Sequence, residues 1–211
     1  MSSLTAGLAD AREAVLAYRA GLQAVLAALP VDDVARLIAE LEAAYDAGRQ
    51  IFVAGNGGSA ATAAHLACDL GKTTLGRAGG GPARRFRVIA LTDNVPLLTA
   101  WGNDAGYAVV FAEQLRNLAD PGDLLVVISA SGNSPNILAA LAAARELGLR
   151  AAGLLGFGGG AAAGLVDTAV VVPSADYGHV EDVHLVLTHL VTAHFRQALA
   201  APQAVAVGIA S

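Results

Sequence analysis

Gln50-Ile51-Phe52-Val53-Ala54-Gly55-Asn56-Gly57-Gly58-Ser59 is the stretch that decides the fold of this chain. Gln50–Ala54 is a largely continuous apolar run, the pattern of a strand covered on both faces. It stops at a turn of glycines, which permit positive φ and let a ligand come close to the backbone. A helix is expected over about 58–71. Its opening turn would present unpaired N–H groups with the positive end of the helix dipole behind them, which is where an anion binds. The Ser59 hydroxyl adds a donor at the helix start.

The same grammar returns at Ile128-Ser129-Ala130-Ser131-Gly132-Asn133-Ser134-Pro135. Pro135 suits the first turn of a helix, and three serines and an asparagine supply more donors than a helix cap needs. Taken singly, each turn reads as an N-cap. Two at the carboxyl ends of neighbouring strands, where open α/β sheets bind ligands, point to a phosphate site. Neither turn is a Walker loop, because no Gly-Lys-Ser/Thr follows. Nor is the first a dinucleotide fingerprint: Ala60 holds the last glycine position, and Asp93 lies beyond the usual distance for a ribose-binding acid. No nucleotide cofactor is expected.

Further short apolar runs at Arg87–Leu91, Leu124–Ile128, Ala151–Leu155 and Thr168–Val172 alternate with helical stretches at about 107–119, 134–147, 161–165 and 180–199. Strand alternating with helix implies an α/β, three-layer sandwich with a parallel sheet and right-handed crossovers. Two helices lead in, Leu4–Leu29 and Val31–Ala47, with apolar residues at helical spacing. Trp101-Gly102-Asn103-Asp104 reads as a turn, Thr73–Arg85 as an exposed Gly-rich basic loop, and the tail after Gln197 as weakly patterned. With no repeat and no linker, residues 1–211 form one domain: leading helices over 1–48, the α/β core and closing helix over 49–197, and a tail over 198–211.

GNGGSA followed by a His-bearing helix, LTDNVPLLTAWGNDAGY, SASGNSPN and a closing EDVHLVLTH together resemble the sugar isomerase (SIS) family, and within it the phosphoheptose isomerases. The resemblance runs over about residues 2–197. It implies a five-stranded, flavodoxin-like parallel sheet, a homotetramer with the site at a subunit interface, and interconversion of sedoheptulose 7-phosphate with D-glycero-D-manno-heptose 7-phosphate. By matching positions, Ser59, Ser129, Ser131 and Ser134 would hold the phosphate, with Gly58 in the same turn, and Asn56, Gly57 and Asp93 would lie along the sugar. Asp93 reads equally as the cap of a following helix. The alternative within the family is a non-catalytic protein that binds phosphosugars or regulates.

Isomerisation through an enediol needs a base beside the carbonyl and an acid or metal for the developing oxyanion. His65 and Asp69 stand at i, i+4 on the first core helix and share a face. On the last helix, spacing alone pairs Glu181 with His184; the resemblance selects Glu181 and His189 instead. Those two are separated by about 12 Å of rise and roughly 80° of turn, so they can converge only on something between them. The resemblance implies zinc held by His65, Asp69, Glu181 and His189, with Asp69, His189 and Glu181 catalytic. The chain departs from the family in having Asp69 where it has Glu and Glu181 where it has Gln. His184 and His194 read as interface or surface residues, His179 as a residue of the pocket mouth, and Cys68 as a small core residue. Lys72, Arg77, Arg84 and Arg85 are the cations nearest the site in sequence.

Hydrophobic residues make up 55% of the chain and charged residues 15%, an apolar balance that suggests helix surface buried between subunits. A formal charge of −5 without a Lys/Arg run excludes a nucleic-acid footprint. One cysteine rules out an internal disulfide and fits a reducing cytoplasm. No basic segment precedes an apolar stretch at the N-terminus, and no apolar run reaches membrane-spanning length, so a soluble cytoplasmic protein is expected.

Overall fold

The computed structural model describes residues 7–75 and 84–200. The start of the first expected helix, most of the Thr73–Arg85 loop including Arg77, and the tail beyond Ala200 lie outside them. Five parallel strands, β1 (Gln50–Gly55), β2 (Arg87–Ala90), β3 (Leu124–Ser129), β4 (Arg150–Leu155) and β5 (Thr168–Val171), form one sheet in the order β2-β1-β3-β4-β5. This is the flavodoxin-like order, in which the chain winds left from β1 to β2 and then right from β3 onward. The crevice between β1 and β3 is therefore the switch point, and both Ser/Gly turns leave from it. Their register is matched, with Gly55 opposite Ile128.

Each strand splits its side chains between two cores. Ile51, Val53, Val126 and Ile128 face a cluster closed by α2 (Val31–Asp46), α3 (Gly58–Lys72) and α7 (Tyr177–Ala200), with the end of α1 (Leu8–Ala27). Phe52, Ala54, Leu125 and Val127 face the other, closed by α4 (Val95–Asp104), α5 (Ala112–Leu118) and α6 (Pro135–Leu147). Burial of both faces explains the unbroken apolar runs. At the opposite end of the sheet, Asp123 is buried but satisfied: its carboxylate accepts the N–H groups of Gln50 and Asp120, both at 2.9 Å.

Four expectations are corrected. Trp101–Asp104 is the last turn of α4, not a loop. That helix starts because the Asn94 side chain accepts the Leu97 N–H at 3.1 Å and Pro96 fits the first turn. Asn94, not Asp93, is thus the cap. Cys68 is exposed: α3 turns Ser59, Thr62, Ala63, Leu66 and Leu70 inward, and at 100° per residue position 68 points away from that stripe. His184 is 1% exposed and lies in the core, where its Nε2 meets the Leu155 carbonyl oxygen at 3.2 Å.

Candidate active site

At the switch point Asn56, Ser59, Ile128, Ser129, Ala130, Ser131, Ser134, Tyr177 and Glu181 line a cleft of about 170 Å³. The turn that opens it needs glycine at position 57, whose φ of 55° lets the chain reverse from β1 into α3. Gly132, at φ 62°, is required by packing as well. A Cβ there would stand 2.0 Å from the Gly159 carbonyl oxygen, so the β3 turn and the turn after β4 lock together. Gly156 N–H donating to Ala130 O and Ala162 N–H donating to Gly132 O complete that lock.

Hydroxyl bookkeeping separates a binding loop from a mere cap. Ser134 is the N-cap residue of α6, yet its side chain makes no capping bond. Ser129 Oγ accepts from Gly132 N–H at 3.1 Å and Ser131 Oγ accepts from Asn133 N–H at 3.3 Å. Accepting leaves each hydroxyl proton free to donate. The serines therefore aim unspent donors at a crevice that also receives the first N–H groups of α3. Among the described residues no Lys or Arg lines the cleft, and Glu181 does. The Glu181 carboxylate rests on Gly58, where a Cβ would meet its Oε2 at 2.7 Å. Gly57 and Gly58 are exposed at the rim, and Asp93 is exposed in the turn after β2, outside the cleft lining.

The second group of candidates lies along the same two helices. α3 and α7 run side by side in the same direction, with Gly58 beside Glu181 and His65 beside His189. The two imidazole Nε2 atoms are 2.8 Å apart, and His65 Nε2 is 3.4 Å from Asp69 Oδ2. At 2.8 Å one ring must be the donor and the other the acceptor. Asp69 is oriented by Thr73, whose hydroxyl donates to its Oδ1 at 3.2 Å. The group opens onto a further cleft of about 250 Å³ lined also by Thr192, Ala193 and Arg196.

The potential ligand atoms of His65, Asp69 and His189 all lie within 4.8 Å of one another. Ligands at about 2.0–2.2 Å from a tetrahedral zinc stand roughly 3.3 Å apart, so the imidazoles need to part by only about half an ångström. Two imidazoles, a carboxylate held by a hydroxyl and an open side form a fitting donor set for zinc. Glu181 is the exception among the four expected ligands. It sits eight residues before His189, about 12 Å along the helix, and within the chain it belongs to the serine cleft.

Other expectations land elsewhere. His179 does not line the cleft; its Nε2 meets the Tyr18 carbonyl oxygen at 3.2 Å and its ring packs on Tyr18, tying α7 to α1. Beside it the Tyr18 hydroxyl donates to Asp182 at 2.7 Å, a bond that pushes its pKa up to about 12. His194 is exposed and meets Phe195 edge-on. Arg84 donates to the Tyr45 carbonyl on α2, and Lys72 is exposed at the far end of α3. Asn136 and Tyr107 are two of the residues that sequence reasoning missed. Both end quoted motifs, SASGNSPN and LTDNVPLLTAWGNDAGY, and both bond to Asn56.

A parallel sheet whose winding reverses at a serine-lined crevice makes this an open α/β protein of the flavodoxin-like kind, with its cleft at the switch point. The chain belongs to the SIS-domain family, whose model matches residues 17–156. Within that family it stands with the phosphoheptose isomerases. It is 43% identical to the phosphoheptose isomerase of Geobacter sulfurreducens over 177 residues, 82% of this chain and 90% of that one. It is also 43% identical to that of Pelobacter propionicus over 158 residues, 74% of this chain and 80% of the other. Among solved structures, the phosphoheptose isomerase of Neisseria gonorrhoeae superposes with a TM-score of 0.79 at 30% identity, covering 88% of this chain and 98% of that one. The Francisella tularensis enzyme gives 0.80 at 28% identity, covering 91% and 100%.

Proposed function

We propose that the chain interconverts sedoheptulose 7-phosphate and D-glycero-D-manno-heptose 7-phosphate through an enediol. The observation that carries this reading is the arrangement of two sites on one pair of parallel helices: unspent serine donors at the start of α3, and His65, Asp69 and His189 further along. From Ser59 to His65 the helix rises about 9 Å. A seven-carbon chain, with about 1.5 Å per C–C bond, can keep its phosphate in the first site and bring its carbonyl end to the second.

In this assignment Ser59, Ser129, Ser131 and Ser134 hold the phosphate with the N–H groups of the α3 turn. Asn56, Gly57, Gly58 and Asp93 border the sugar, and Glu181, standing over Gly58, takes sugar hydroxyls. Asp69 removes a proton from C1 of the ketose, and His189 delivers one to the carbonyl oxygen at C2, giving the enediol. Return of a proton to C2 and loss of one from the C1 hydroxyl gives the aldose, so atoms and charge balance. Alternatively, His65, Asp69 and His189 would hold zinc, which when bound takes over from His189 the polarisation of the carbonyl oxygen. Thr73 keeps Asp69 in place for either task.

We further propose a homotetramer with the site at a subunit interface, acting in the cytoplasm, with the whole chain as one domain. The support is α1, a 20-residue helix on which Val25 alone is buried. Leu8 is 89% and Val15 66% exposed, and Leu185, Val186 and Leu190 are exposed around His189 on α7. Apolar surface of that extent on two neighbouring helices is what subunit contacts cover. Among the described residues no single helix is long and apolar enough to cross a membrane.

The test is turnover of a phosphosugar panel, read by NMR, before and after a chelator, with metal analysis of the same preparation. Turnover of sedoheptulose 7-phosphate and about one zinc per chain are expected. Binding of seven-carbon sugar phosphates without turnover would reduce the protein to a binding module.

A further inference from the structure

The carboxamide of Asn56 is held on nearly every side. Its Nδ2 donates to Asn136 Oδ1 at 2.9 Å, and its Oδ1 accepts from Asn136 Nδ2 at 2.8 Å. The same Oδ1 accepts from the Tyr107 hydroxyl at 3.2 Å. A carboxamide offers two lone pairs on oxygen and two N–H bonds. Both lone pairs are taken and a single N–H is left over. Asn136 is 2% exposed, directly after the Pro135 that starts α6, so its half of the pair is shielded from competing water. Tyr107 reaches in from the opposite side, out of the short 3-10 turn at 107–109 that follows α4. Asn56 itself lines the serine cleft.

We propose that Asn136 and Tyr107 are positioning residues that lock Asn56 as a one-way donor toward the bound sugar. The lock makes position 56 selective for an oxygen that accepts, such as a carbonyl or a hydroxyl lone pair. It works against a ligand that presents only donors there, such as an ammonium group. Because the Asn56–Asn136 pair joins the β1 turn to the start of α6, it also holds the two phosphate turns in register across the switch point. The inference rests on the isomerase reading for the identity of the sugar, but not for the bonding pattern.

Its test is a double-mutant cycle of Tyr107→Phe with Asn56→Ala, with affinities for sedoheptulose 7-phosphate and for inorganic phosphate measured by calorimetry alongside KM, kcat and melting temperature. Tyr107 is more than half exposed, so removing its hydroxyl oxygen leaves the fold intact. Tyr107→Phe is expected to weaken sugar phosphate about three- to fivefold, the scale of one neutral hydrogen bond, through KM with kcat unchanged. Inorganic phosphate affinity and melting temperature should stay as they are, and Tyr107→Phe should add nothing in the Asn56→Ala background. Asn136→Asp, which can accept from Asn56 but not donate to it, should weaken sugar phosphate further, about tenfold. Wild-type affinity in Tyr107→Phe, or an equal loss with Asn56 already removed, overturns the lock. Sugar phosphate bound without turnover and with the cycle intact sinks the isomerase reading alone.

Discussion

The serine cleft and the histidine cluster share α3 and α7 but are made of different material. The cleft is built largely from backbone: a glycine turn, a helix start, and hydroxyls that each already accept an N–H of the same loop. Each of its turns is shaped by contacts close in sequence, and the two are joined by the β1–β3 register, the Asn56–Asn136 pair and the interlocked turn after β4. The cluster is built from side chains that stand 124 residues apart. It exists only because two helices pack in parallel with Gly58 beside Glu181 and His65 beside His189. Local order thus suits a group that binds an invariant phosphate, and long-range packing suits a group that must act on one carbon.

The largest effect that can break this contrast is on turnover. Asp69→Asn and His189→Ala should each lower kcat by roughly a hundredfold or more, the scale of a lost general acid or base. Ser134→Ala, by contrast, should raise KM about tenfold or more, as for a hydrogen bond to a charged group, and leave kcat nearly unchanged. Steady-state kinetics on sedoheptulose 7-phosphate separates them, and a kcat effect at Ser134 would erase the division of labour. Next in size is Glu181. It puts a carboxylate in the phosphate cleft, so Glu181→Gln should tighten inorganic phosphate severalfold by removing a like charge. The same change should leave zinc affinity alone, since Glu181 stands apart from the cluster. Loss of zinc from Glu181→Gln would put that residue back among the ligands.

Much of the fold was readable because the sheet is buried on both faces and its strands announce themselves as apolar runs. The five observed strands match the expected ones to within a residue at each end. The cleft was readable for the same local reason. The cluster was only partly so, because α3 is Ala-rich: with Ala at 60, 61, 63, 64 and 67, hydrophobic periodicity gives its helix no phase. That is why Cys68 read as core. α7 posed the reverse difficulty, with four histidines and no sequence rule to tell their faces apart. His184 and His189 are five residues, about 140°, apart, and packing sends the first inward and the second outward. α4 was missed because Trp101-Gly102-Asn103-Asp104 read as a turn, whereas Gly102 lies near the end of a helix whose first turn Pro96 supports.

The smallest predicted effect follows from that inward turn. Burial holds the His184 pKa down at about 4, against an ordinary 6.5, with only the bond to the Leu155 carbonyl working the other way. Its folded pKa lies below its unfolded one. As pH falls from about 6.5 to about 4 the unfolded chain therefore takes up a proton that the folded chain refuses, and stability declines. The total is on the order of 3 kcal/mol. Urea midpoints across that range should show the slope, and His184→Gln should flatten it; an unchanged slope would assign the acid sensitivity to other groups.

The most direct measurement is a crystal structure of the protein with sedoheptulose 7-phosphate bound. The phosphorus should sit among Ser59, Ser129, Ser131 and Ser134, with the C1–C2 end beside Asp69 and His189. A phosphate found against the histidines, or a sugar bound away from both helices, would contradict the account.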